Sequence, residues 1–97
     1  MAPRRYPWVW DYDIDADEFD AILSGRATRG RLDRQWAAVR VIEYGRYEDI
    51  VKLIGFGALV DHWAEWRPRV RTPAVRRGLD FLVEWLPRHH PELLGRA

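Results

Sequence analysis

The chain has 97 residues, the size of one domain of ~100–150 residues, and leaves room for a single packed core. Apolar residues at 47% and charged residues at 32% exclude a disordered chain, and the lack of Cys excludes a disulfide framework, a thiol enzyme and Cys-ligated zinc. The net charge of +1 hides a segregation. Residues 1–24 set Arg4 and Arg5 against Asp11, Asp13, Asp15, Asp17, Glu18 and Asp20, whereas residues 67–77 hold Arg67, Arg69, Arg71, Arg76 and Arg77 with no acid.

In chain order, no apolar run of ~7–15 residues follows Arg4 and Arg5, so the start does not read as a secretion signal. No stretch reaches the ~20 apolar residues that span a bilayer, and a cytoplasmic location without membrane contact is expected. Residues 1–97 read as one helical domain, with 1–6 as a flexible arm. Pro7 and the alternation of residues 6–12 predict a short extended segment that points Trp8 and Trp10 to the same side. Asp15 with Glu18 three residues on resembles a capping box, starting a first helix that carries Phe19, Ile22 and Leu23 and stops at Gly25. Residues 25–30 form a basic loop.

The second helix is expected from Leu32 to Tyr44, with Leu32, Trp36 and Val39 inward and Gly45 as its end. A short third runs from Tyr47 to Ile54, and a fourth from Gly57 to Trp66 is broken by Pro68. Thr72 as N-cap and Pro73 at the first position open a fifth helix through Leu86, stopped by Pro87. Its apolar arc, from Val75, Leu79, Leu82 and Leu86 across to Phe81 and Trp85, is wider than the ~100° stripe of a surface helix. A final turn follows at His90 to Leu94. The fold class is all-α, a single small domain of about five short helices with a short extended N-terminal segment.

Chemical motifs are scarce. The run Asp11, Asp13, Asp15, Asp17 invites a calcium reading, but neither register works. Starting at Asp11 puts Ala16 where glycine is required, and starting at Asp13 puts Glu18 there. His62, His89 and His90 lack metal-ligand spacing, so no metal and no cofactor is expected. Ser24 is the only serine, and no nucleophile, base and orienter can be assembled around it. The expectation is a non-enzyme.

Residues 47–63 resemble a helix-turn-helix, yet the second helix offers Asp61, His62 and Glu65 in place of the Arg, Lys, Asn or Gln that read bases. A nucleic-acid-binding regulator using residues 47–66 with Arg67, Arg69 and Arg71 is the alternative reading. Six Trp, four Tyr and three Phe exceed what so small a core buries. Trp, Tyr and Arg also dominate binding hot spots. Trp8, Trp10, Phe81 and Trp85 are therefore the expected aromatic anchor. Asp11, Asp13 and Asp17, or the basic patch Arg67, Arg69, Arg71, Arg76 and Arg77, would steer a partner by charge.

The run Trp10-Asp11-Tyr12-Asp13, Trp36, Tyr44-Gly45, Ile50 and the stretch from Thr72-Pro73 to Gly78-Leu79-Asp80-Phe81-Leu82 carry a family resemblance. The chain resembles, over about residues 7–87, a group of small bacterial helical proteins often encoded beside nucleotidyltransferase-like toxins of the abortive-infection type. The resemblance implies a helical fold and an antitoxin or accessory role; the expected partner is a protein, either a toxin encoded nearby or, by self-association, a second copy. The interval from Trp63 to Arg71 departs from the group, and no site residue carries over.

Overall fold

Aspartates and glycines set most of the helix boundaries. A computed structural model describes residues 4–94. Asp15 accepts a hydrogen bond from the Glu18 N–H at 2.8 Å and opens α1, Ala16–Leu23. Asp33 does the same for the Trp36 N–H at 3.0 Å and opens α2, Arg34–Tyr44. The expected start at Leu32 is thus corrected. Leu32 forms an isolated antiparallel bridge with Arg29 around Gly30, whose φ of 60° suits the reversal, and Asp33 then supplies the cap.

The third helix, α3, begins as an α-turn at Tyr47–Asp49 and widens into π geometry over Ile50–Ile54. Gly55, at φ 83°, donates its N–H back to the Ile50 carbonyl and turns the chain directly into α4, Phe56–Trp66. Beyond α4 the backbone tightens into a 3-10 turn at Arg67–Arg69, which accommodates Pro68.

The last and longest helix, α5, spans Pro73–His89. Pro73 occupies the first turn as expected, while Thr72 caps through its carbonyl, which accepts from the Arg76 N–H, and not through its hydroxyl. The expected stop at Pro87 is also corrected, because the helix runs on to His89. Only one turn follows the proline. It is closed by the His90 N–H on the Leu86 carbonyl at 2.8 Å and by the stacking of Trp85 on His89. A 3-10 turn at Pro91–Leu94 then folds back, seating buried Leu94 against α4 beside Gly57.

The N-terminus departs furthest from expectation. Pro7–Val9 is a 3-10 turn, not an extended segment. Three residues per turn send neighbouring tryptophans apart: Trp8 is 3% exposed and Trp10 is 64% exposed. Of the expected arm, residues 1–3 lie outside the described residues and residues 4–6 are tied down. The Arg4 carbonyl accepts from the Ala16 N–H at 2.7 Å, Arg5 pairs with Asp13, and the Tyr6 hydroxyl donates to Asp20 at 2.8 Å.

The all-α class holds, with no strand among the described residues beyond that single bridge. The core lies where α1, α2 and α4 meet, filled by Phe19, Ile22, Val41, Ile42, Leu59, Trp63 and Trp66, with Val70 sealing one side. Trp8 stacks on Tyr6 at 4.5 Å and meets Phe19 edge-on at 6.0 Å, joining the N-terminal turn to that core. No helix among the described residues is long and apolar enough to cross a membrane.

Candidate functional site

The acidic residues of the N-terminal segment are matched locally. Asp11 receives both fork nitrogens of Arg40 at 2.9 Å, Asp13 takes Arg5, and Glu18 takes Arg29 at 2.9 Å. The hydrogen bonds from Arg40 and from Arg5 hold the Asp11 and Asp13 carboxyls below the usual range. Burial, followed by the hydrogen bond to Asp20, pushes the Tyr6 phenol up. Asp17 stands exposed in the first turn of α1, where it complements the helix dipole. Among the described residues none of these acids forms an ion pair with the 67–77 arginines.

Within that basic segment the five arginines divide by role. Arg67 forks onto Asp80 at 2.8 and 3.0 Å, and the Trp63 indole N–H reaches the same carboxylate at 2.7 Å. Arg67 first and Trp63 second depress the Asp80 carboxyl. Arg76 donates to the Val70 carbonyl at 3.4 Å. The side chains of Arg69, Arg71 and Arg77 make no hydrogen bond or ion pair among the described residues, and all three are exposed.

The aromatic surplus falls in two places. On α5, Phe81 stacks with Trp85 at 6.4 Å and Trp85 with His89 at 4.9 Å. Their four-residue spacing makes one row on the helix surface, which Arg77 begins. Phe81, 65% exposed, also rims an apolar groove of about 380 Å³ lined by Ile42, Tyr47, Ile50, Val75 and Leu82. The floor is open at Gly78, where an added methyl would meet nothing.

At the other place, Trp10 sets its edge against Tyr44 at 5.0 Å, and Tyr12 against Trp36 at 5.3 Å. The Arg40 guanidinium lies 5.2–5.6 Å from the centres of all four rings.

The expected anchor of Trp8, Trp10, Phe81 and Trp85 is therefore divided. Phe81 and Trp85 come together, Trp10 joins the Arg40 cluster, and Trp8 is corrected from surface contact to core. Its buried Nε1–H has no acceptor among the described residues. Sequence reasoning missed Arg40, although its signal was present: Trp36, Arg40 and Tyr44 stand four apart on one helix. It also missed Tyr47 and His89 as rims of the α5 surface.

The helix-turn-helix alternative meets an unfavourable face. Asp61 and Glu65 are exposed on α4, while His62 stacks on Trp66 and lies 3.5 Å from the Glu65 carboxylate. Ser24 is committed to a helix end, donating to the Ala21 carbonyl at 3.0 Å and accepting from the Arg26 Nε–H at 2.7 Å. Among the described residues no three His, Asp or Glu side chains converge to hold a metal. Comparison with protein-family models, curated proteins and solved structures finds no match to this chain.

Proposed function

We propose that this chain is a non-enzymatic protein-interaction module whose contact surface is the outer face of α5. The observation that supports it is the row Arg77, Phe81, Trp85, His89 beside the apolar groove. This row is an aromatic ladder along one helix, with Phe81 and His89 exposed, Trp85 half-buried between them and a cation at its head. Rigid aromatic anchors lose little entropy on binding and act as hot spots when a partner covers them. The unpaired Arg77 selects a partner that flanks an apolar ridge with an acidic side chain, whereas Arg88 at the other end of the row already lies 3.5 Å from the Glu84 carboxylate. A second copy fits less well, since twofold pairing of the row with itself sets Arg77 against an end where the acid, Glu84, is already taken by Arg88. The toxin encoded next to it, on the resemblance described above, is the occupant proposed.

Co-expression with the neighbouring gene product, followed by co-purification and titration, tests this reading. Phe81→Ala and Trp85→Ala are each expected to weaken the complex by about 2 kcal/mol, roughly 30-fold, with unchanged circular dichroism. A neighbour that fails to bind at micromolar concentration, or binds both variants as tightly as the parent, would sink the proposal. A dimer in sedimentation that Phe81→Ala dissolves would make the second copy the occupant instead.

A further inference from the structure

We infer that the groove between α2 and the 67–71 segment is a binding site for a nucleoside phosphate. It encloses about 500 Å³, within the ~300–1,000 Å³ of small-molecule sites. Its lining combines the aromatic rings of Tyr12, Trp36 and Tyr44 with Arg69 and Arg71 of the 67–71 segment. The two arginines straddle Val70, which is fully buried, so both start from backbone anchored in the core. The Glu43 carboxylate accepts the Arg71 N–H at 2.5 Å and fixes that strip of chain to α2. Neither guanidinium has a partner among the described residues, and both line the same groove, where guanidinium forks match the oxygens of a phosphate.

The aromatic lining supplies the second half of the recognition. Base-on-ring stacking needs exposed π faces that do not swing, and Arg40 provides the restraint. Its side chain is 16% exposed, its charge is balanced by Asp11, and its guanidinium carbon lies 5.4–5.6 Å over the centres of the Tyr12, Trp36 and Tyr44 rings. Arg40 is a positioning residue here, and Arg69 and Arg71 are the ligand-binding ones. Glu43 keeps one carboxylate oxygen for a ribose hydroxyl or an exocyclic amine. A phosphate alone would leave the rings unused, and a nucleoside alone would leave the arginines unused.

The full chain titrated with AMP, adenosine, inorganic phosphate and oligoadenylate, followed by tryptophan fluorescence and amide shifts, tests the site. AMP is expected to bind at sub-millimolar concentration, with adenosine and phosphate each at least about tenfold weaker. The Arg69→Gln/Arg71→Gln double variant loses at least about tenfold in affinity. Tyr44→Ala weakens AMP while leaving both arginines in place, and Phe81→Ala leaves AMP binding unchanged. That last variant separates the site from the protein-binding surface, with which it shares no lining residue. Oligoadenylate bound tighter than AMP, with the same arginine dependence, supports the site and makes a strand the source of the phosphate; the reverse order makes it a free nucleotide. No binding of either at millimolar concentration overturns the inference. So does binding that survives the double variant, or uptake of a glutamate-rich peptide in preference to AMP.

Discussion

Asp80 joins three elements through one carboxylate: its own helix α5, Trp63 on α4 and Arg67 on the turn beyond. An aspartate ordinarily titrates near ~3.9, and Arg67 and Trp63 hold this one lower in the folded state. A carboxyl whose folded pKa lies below its unfolded value adds stability above the unfolded value, and that stability is lost as pH falls through the folded one. Asp80→Asn is therefore expected to lower the urea midpoint at neutral pH, with the gap to the parent closing in acid below about pH 4. A gap independent of pH would show that the charge is idle.

Such residues mark the limit of what the sequence makes legible. Asp80 reads as one polar position on an amphipathic helix, because its partners lie 13 and 17 residues away in the chain. Arg40 is half legible: its i±4 neighbours Trp36 and Tyr44 follow from helix geometry, while Trp10, Tyr12 and Asp11 reach it only through the tertiary fold.

At the level of elements, boundaries written as side-chain caps or positive-φ glycines are readable, as at Asp15 and Gly55, whereas the cap at Asp33 is overlooked by a reading that starts the second helix at Leu32. Boundaries decided by packing are not. The turn at Pro7–Val9 exists because Trp8 and Val9 are both drawn into the core, which an alternating strand cannot do. Persistence of α5 past Pro87 depends on contacts from Leu86, Trp85 and the returning turn at Pro91–Leu94. Gly57 is the seat of that turn, since a methyl group there would run into the Leu94 backbone carbonyl. Gly57→Ala is expected to cost about 1–3 kcal/mol in a denaturant melt. It should also speed hydrogen exchange at Leu93 while amides of α1 and α2 keep their protection. Uniform loss of protection would place the seat in the core and not at its edge.

Over the whole molecule, charge segregation along the chain becomes charge disposition on a surface. The acids near the N-terminus are matched by Arg5, Arg29 and Arg40, so the two ends of the charge pattern do not cancel one another. Arg69, Arg71 and Arg77 face outward without a hydrogen-bond or ion-pair partner among the described residues, as do the acids Asp17 and Glu48 elsewhere on the surface. Arg77→Glu is expected to slow association with an acidic partner by about tenfold at low salt, with little change in dissociation. The difference should fade as salt shortens the screening length below ~10 Å. An effect confined to dissociation would mean that Arg77 makes a contact and does not steer.

The rings around Arg40 also have a magnetic consequence. Four aromatic currents act on one side chain, which displaces its proton resonances from those of the other arginines. Trp10, Tyr12 and Asp11 come from the N-terminal segment and Trp36 and Tyr44 from α2. The part of the displacement that Trp10 and Tyr12 cause thus exists only while those two parts of the chain are joined. They form a built-in spectroscopic beacon for that junction, readable without a label and blind to events on α5.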